Sequence, residues 1–503
     1  MTKSLLDNIM TVCLRRGVLF PTAEIYGGLA GFYDFGPIGT RLRNNLIHLW
    51  RQHFIESQDF VYELSGTTLL PASVFKASGH LDHFTDPSAE CPRGHVTRVD
   101  QLIEEKLKIP AEGKSNEELA KIVREQKLRC PICGEPLSEV RSFGLMFGTS
   151  VGGERRQAFL RPETAQNIFV AFRRIQTSTR AQLPLGVAQI GKSYRNEISP
   201  RQSVVRVREF GQMEIEYFIN PNQLDECPLF PDLKKVKLPI VTQEIQQEAA
   251  EKGSTEYSTI LVTVEEAYRK RIVPNQWMAS VLGNEMVFIP KLGIPREAIR
   301  FRHMRPEETP HYSGGNFDLE IQLSIGWKEV IGNAYRRDHD LQAHMKGSQK
   351  DLSVDIEGTK VIPHVVEPSF GIERLLYCVL EHTYRPKSEE RGWTWFQFPT
   401  QMAPFDAVFL PLLKRSELEE IAYALYKKCQ QQGLAALYDE KGRIGRRYAR
   451  ADEIGIPSAV TIDPQTLEDD TVTLRSRDTA EQTRHHLKEI PSILQEIKQS
   501  KGF

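Results

Sequence analysis

No apolar run long enough to cross a bilayer, about 18 residues, occurs in the chain, so no helical membrane span is expected. The opening residues, MTKSLLDNIMTVCLRR, lack the apolar core and small-residue cleavage site of a secretory signal. Leu5, Leu6, Ile9, Met10 and Cys13 instead recur at helical spacing and predict an amphipathic helix. A cytoplasmic location is the expectation. Cysteine is scarce, with seven in 503 residues, and an odd number in a long chain argues against a disulfide framework. Neither sign of charge is in excess: the net charge of −1 denies the chain the global basic footprint of a non-specific nucleic-acid binder. Local basic patches can still serve that role. Internal repeats and low-complexity tracts are also lacking. An apolar content of 40% with 26% charged residues is that of an ordinary globular protein, and its length calls for about two to four domains.

What is present is a concentration of guanidiniums around one turn. In Lys192-Ser193-Tyr194-Arg195-Asn196-Glu197, Arg195 and Glu197 are two apart and share a strand face. The segment Ile198 to Val204, with Pro200, predicts a turn. A second strand then returns with Arg206, Arg208 and Phe210. Guanidiniums bind phosphate through paired hydrogen bonds and stack on flat rings, so this surface suits a nucleoside triphosphate. Taken singly, each arginine reads first as half of a surface salt bridge.

These residues resemble the second signature motif of class II aminoacyl-tRNA synthetases. Glu367-Pro368-Ser369-Phe370-Gly371-Ile372-Glu373-Arg374 resembles the third. Ile25 to Gly39, Arg161 to Gln166 (RPETAQ), Gly326 to His344 and Gly445 to Pro457 narrow the resemblance to glycyl-tRNA synthetases of the homodimeric type. It runs through nearly the whole chain and is weakest over 219–300 and the cysteine-bearing segment.

The resemblance implies an ATP-dependent ligase that attaches glycine to tRNA(Gly) through a glycyl-adenylate, with Mg2+ accompanying ATP. Arg195 would hold the α-phosphate, and Glu197 would accept from an amino group on the substrate side. Arg206 and Arg208 would grip the outer phosphates. Phe210 would stack on adenine, Arg374 would contact its other face or the γ-phosphate, and Glu329 would face ATP or Mg2+. Glu163, Glu214, Glu367 and Ser369 match positions that surround glycine in the family. The chemistry is sensible: carboxylates hold an ammonium, while exclusion of a methyl must separate glycine from alanine. Glu214 alternates with Met213, Ile215 and Tyr217 along Gln212 to Ile219, and shares its face with Glu216 and Phe218. On that pattern alone it could also be a solvated charge.

The implied fold is an α+β catalytic core built on an antiparallel sheet, with insertions and a C-terminal α/β anticodon-binding-type domain. The expected organisation is core over 1–85, a zinc-ribbon-like insertion over 86–142, core over 143–218, a second insertion over 219–300, core over 301–399, and the anticodon-binding domain over 400–503. Within the first part, Ile38, Leu42, Leu46, Leu49 and Phe54 predict a helix over 38–57 that Pro37 starts. An extended stretch from Phe60 to Leu70 follows. This unit resembles the first class II motif, which in that family builds a homodimer interface; by itself it reads as an internal core helix.

Cys130-Pro-Ile-Cys133 resembles half of a zinc ribbon, and Cys91-Pro-Arg-Gly-His95 has the ligand spacing to complete it. A structural zinc remote from bond-making is expected, with packed free thiols as the alternative. A capping box at Ser115–Glu118 predicts a helix start within this insertion. Lys441, Arg443, Arg446, Arg447 and Arg450 form a basic run. It reads as a solvated helix start from charge alone, and as a tRNA contact by resemblance. Two other functions compete: another class II synthetase such as the prolyl or histidyl type, and a non-catalytic synthetase-like nucleic-acid-binding protein.

Overall fold

The computed structural model of the chain describes residues 4–109, 111, 113–198, 206–254, 256–309 and 313–499. The turn expected between Ile198 and Val204 lies outside the described residues from 199 on.

The N-terminal residues form the expected helix, Leu5–Arg16, with Ile9, Val12 and Cys13 facing inward. Ser4 starts it by accepting the Asp7 N–H at 3.1 Å. Gly17, at φ +69°, ends it in the left-handed conformation that glycine adopts without strain. The next helix, Pro37–Arg51, carries Pro at its first turn and runs into a π-helical turn, Gln52–Glu56. Its Leu42, Leu46 and Trp50 are fully buried. The extended stretch after it is interrupted, forming two strands, Val61–Leu64 and Leu69–Pro71, that belong to different sheets.

The main sheet has nine strands. From edge to edge they are Ile260–Thr263, Lys237–Val241, Ile299–His303, Asn316–Leu323, Gly326–Arg337, His364–Gly371, Glu209–Ile219, Leu185–Tyr194 and Val61–Leu64. The run from Ile299–His303 to Leu185–Tyr194 is antiparallel throughout. The Val61–Leu64 edge and the Lys237–Val241 junction are parallel. One face of this sheet is closed by Trp50, Phe54, Phe288 and Phe370. Their rings meet at 5.8 Å between Trp50 and Phe370 and at 5.1 Å between Phe54 and Phe288. Residues 219–300, expected as an insertion, are built into this core: they supply two of the strands and the helix Gln276–Phe288, which is buried nearly all round.

Residues 86–142 have their own small core of Val99, Ile103, Leu119 and Val123 beneath a three-stranded sheet. The helix Asn116–Glu125 begins at Ser115 with both capping-box hydrogen bonds. The C-terminal part is a five-stranded sheet ordered Ala436–Tyr438, Ala407–Pro411, Ser458–Ile462, Thr471–Ser476 and Gln482–His486. The first three strands are parallel and the last two antiparallel to their neighbours. It is fastened to the rest of the chain by Glu453, which accepts from Arg15 at 2.7 Å and Arg16 at 2.5 Å. Arg477 also donates to the Phe398 carbonyl at 2.8 Å. Among the described residues, no helix is long and apolar enough to cross a membrane.

Candidate active site

The two arginine-bearing segments are neighbours in the sheet. Leu185–Tyr194 and Glu209–Ile219 pair antiparallel, with Ser193 opposite Phe210 and Tyr194 opposite Glu209. The Arg195 N–H then donates to the Arg208 carbonyl at 2.9 Å. Arg161, only 1% exposed, holds the RPETAQ segment against this strand by donating to the carbonyls of Lys192 at 2.8 Å and Thr67 at 3.1 Å. That approach needs Gly191: a Cβ there would lie 2.0 Å from Arg161 Nη2. Two stretches distant in sequence are thereby locked side by side.

They open on one cavity of about 860 Å3. Arg195, Glu197, Arg206, Phe210, Glu329 and Arg374 line it, and so do Glu163, Glu214, Glu367 and Ser369. The Arg195 guanidinium lies 5.4 Å over the Phe210 ring and donates to the Pro162 carbonyl at 3.1 Å. It therefore sits between the two groups of candidates. Glu197 accepts from Arg206 Nε at 2.7 Å, and Arg374 lies 3.4 Å from Glu329. Arg208 behaves differently. It is absent from the cavity wall, and its side chain donates to the carbonyls of Ala30 and Glu197, both at 2.9 Å. It braces the backbone at Glu197 and the Gly-rich segment 27–31.

Of the acidic candidates, Glu214 and Glu367 are buried and Glu163 is half-buried. Glu214 is 1% exposed and accepts the Thr164 N–H at 3.0 Å, with the Thr164 hydroxyl on the same oxygen. Glu163 takes the Gln166 amide at 2.8 Å and faces His80 at 3.5 Å. Burial opposes its charge, but His80, Arg336 and Gln166 outweigh that and hold the carboxyl below its usual range. Glu367 accepts from Arg336 Nη1 at 2.5 Å. Burial, together with the charges of Glu214 and Glu163, pushes Glu367 upward against that guanidinium. Ser369 Oγ accepts from the Gln212 amide at 3.1 Å. These carboxylates open together on the cavity, an arrangement suited to receive a small cation.

Arg336, His80, Gln166 and Asp340 were not singled out from the sequence, yet they hold this arrangement together. Arg336 binds Asp340 at 2.7 Å as well as Glu367, and Gln166 Oε1 meets His344 Nε2 at 2.8 Å. Arg336 and Asp340 are four apart in Gly326 to His344, and Gln166 is in RPETAQ, so the matching stretches contained them without revealing their contacts.

The insertion contributes to the cavity as well. Phe84, Asp86, Arg98, Gln101, Glu104 and Glu105 line it, and Arg98 pairs with Asp86 at 3.1 Å. The strand Thr85–Glu90 leads from this wall to Cys91, roughly 17 Å further at strand rise. There Cys91, His95, Cys130 and Cys133 converge, with all ligand atoms within 4.8 Å of one another. Sγ of Cys91 lies 3.6 Å from Sγ of Cys133 and 3.5 Å from Nδ1 of His95. Sulfurs about 2.3 Å from one tetrahedral ion would stand about 3.8 Å apart, so the donor set fits zinc in type and spacing.

The C-terminal basic run is split. It opens the helix Ile444–Glu453, and Lys441, Arg443 and Arg446 are exposed. Arg450 folds onto Asp439 at 2.6 Å. Arg447 is 4% exposed and donates to the carbonyls of Pro411 at 2.5 Å and Leu412 at 3.1 Å, which leaves it inside the domain.

The family described as tRNA synthetase class II core domain (G, H, P, S and T) matches residues 150–383, and the anticodon binding domain matches 406–497. A glycine–tRNA ligase of Aeropyrum pernix is 40% identical over 96% of this chain and 95% of its own. Those of Methanocaldococcus jannaschii and Pyrococcus furiosus are each 39% identical, covering 99% and 96% of this chain and 99% and 97% of theirs. With both architecture and near full-length identity in place, the chain belongs to the glycine–tRNA ligase family, built on the class II tRNA synthetase core with an anticodon-binding domain.

Proposed function

We propose that the chain joins glycine to tRNA(Gly) in two steps within the single cavity, and that the residues named above divide the work. A glycine carboxylate oxygen attacks the α-phosphorus of ATP, the bond to the bridging oxygen breaks, and pyrophosphate leaves. A ribose hydroxyl of the tRNA end then attacks the adenylate carbonyl, and AMP leaves. Little covalent work falls to the protein, so positioning and charge stabilisation carry the rate.

The observation that supports this reading is the placement of Arg195 between Phe210 and the acidic cluster. In that place its guanidinium would meet the α-phosphate where the two substrates join. Phe210 would stack on adenine. Arg206, now paired with Glu197, would turn to the outer phosphates as Glu197 accepts from an amino group of the substrate. Arg374 would lie over the nucleotide. Glu329 is the carboxylate suited to Mg2+ carried with ATP; the ion would neutralise phosphate charge. Glu163, Glu214, Glu367 and Ser369 would surround glycine. Arg208 is assigned a supporting role only, through the backbone it braces.

Cys91, His95, Cys130 and Cys133 would hold one structural zinc, since four protein ligands leave no position open for chemistry. Lys441, Arg443 and Arg446 are the members of the basic run suited to the tRNA backbone. We further infer a homodimer, through the first-motif-like helix and strand, and a cytoplasmic location, both from family resemblance. ATP–pyrophosphate exchange measured with each amino acid in turn tests the assignment. Exchange supported by glycine alone is expected. Exchange driven by proline or histidine would favour the other class II reading, and none with any amino acid would favour a non-catalytic binder.

A further inference from the structure

Behind the acidic cluster lies a carboxyl group that none of these roles uses. Glu216 is two residues beyond Glu214 on the strand Glu209–Ile219, and so shares its face. It is 0% exposed, and neither of its side-chain oxygens has a hydrogen-bond partner. One of its carboxyl oxygens lies within 4.8 Å of an oxygen of Glu214 and an oxygen of Glu367. A buried carboxylate without a donor is costly, and a third one packed against two others is more so. Glu214 has Thr164, and Glu367 has Arg336. Glu216 has neither: Val187 stands across the ladder on one side, and on the other the register from Glu214 opposite Ser369 to Tyr217 opposite Val366 sets it beside Glu367.

We propose that Glu216 is a positioning residue of the glycine site: as a buried carboxylic acid beside Glu214 and Glu367 it offers its single O–H to one of them and adds no third charge, which keeps their charged oxygens turned toward the substrate ammonium. The inference rests on the assignment of Glu214 and Glu367 to glycine. The surrounding charges agree with it. Burial, with the charges of Glu367, Glu214 and Asp340 and against the Arg336 guanidinium, pushes the Glu216 carboxyl well above the ordinary carboxylate range. Burial pushes Glu367 the same way, but Arg336 Nη1 donates to it at 2.5 Å whereas Glu216 has no donor, so the proposal places the proton on Glu216. Two carboxylates then remain ionised for one ammonium, held by donors on their far sides. A third charge would make them repel one another and turn apart.

The test compares Glu216→Gln and Glu216→Met by glycine-dependent ATP–pyrophosphate exchange, with KM for glycine and for ATP read separately. Glutamine reproduces the neutral acid in shape, charge and donor; methionine fills the space without a donor. Glu216→Gln should stay within about threefold of wild type in KM for glycine, while Glu216→Met should raise it by about tenfold or more with KM for ATP little changed. A glutamine variant that is as impaired as the methionine variant, or that fails to fold, would overturn the proposal, because it would mean that the charge is needed. Methionine equal to wild type would also overturn it, reducing Glu216 to a space-filler. Glu214→Gln and Glu367→Gln serve as the parallel arm. If neither moves KM for glycine, the glycine-site assignment itself fails, independently of Glu216.

Discussion

Arg336 Nη1 donates to Glu367 Oε2 at 2.5 Å while its Nε holds Asp340 at 2.7 Å, which ties the end of one central strand to its neighbour and to the helix that follows. All three side chains are almost wholly buried. A pair of this kind is weak evidence for stability when intact, but removing one partner leaves charges uncompensated.

Arg336→Ala should therefore destabilise the catalytic core by about 3–5 kcal/mol, and Arg336→Lys by less. The unfolding midpoint in denaturant checks this. In whatever fraction remains folded, KM for glycine should rise, since Glu367 loses the group that aims it. A midpoint unchanged by Arg336→Ala would show that Glu367 and Asp340 find other partners.

Metal removal should reach further than the four ligands. Chelation, or Cys130→Ser, should loosen residues 86–142, because metal binding and local folding are coupled. The strand Thr85–Glu90 carries both Asp86 of the cavity wall and the lead into Cys91. KM for ATP should rise along with the loss of tRNA charging. Metal analysis of protein purified without chelator, with hydrogen exchange over 86–142, is the check. A zinc content near zero, with Cys130→Ser as stable as wild type, would make the cysteines packed thiols.

Reversing the charge of Lys441, Arg443 and Arg446 should weaken tRNA charging while leaving glycine-dependent pyrophosphate exchange intact. The salt dependence of tRNA binding should flatten, its slope falling by roughly 0.7–0.9 for each phosphate no longer neutralised. Arg447→Ala should act differently: it should lower stability through the orphaned carbonyls of Pro411 and Leu412. Loss of tRNA binding by Arg447→Ala at undiminished stability would contradict that separation.

Much of this was legible in the residues. The alternation from Gln212 to Ile219 marks a strand, and it is a central strand buried on both faces, which is why Glu214 is not solvated. The capping box at Ser115 marked its helix. Arg447 was legible in principle: it stands three after Ile444 and four before Ala451, on the inward stripe of its helix, but its charge drew it to the surface reading. Arg208 was not legible, because which carbonyl a guanidinium meets depends on the fold of a distant segment, here Ala30. Residues 219–300 were hidden by short strands, one of them interrupted by Pro239, which argues against a strand inside a sheet; Lys237–Val241 nevertheless pairs on both sides. The contacts of Arg336 depend on strand order, which periodicity does not encode.

The central claim is that Arg195 joins the nucleotide and glycine halves of one cavity. Pyrophosphate exchange by wild type and Arg195→Ala, in protein shown to be folded, tests it most directly. Loss of a preorganised charge partner should lower glycine-dependent exchange by about 100- to 1,000-fold. Exchange by Arg195→Ala within about threefold of wild type would contradict the account.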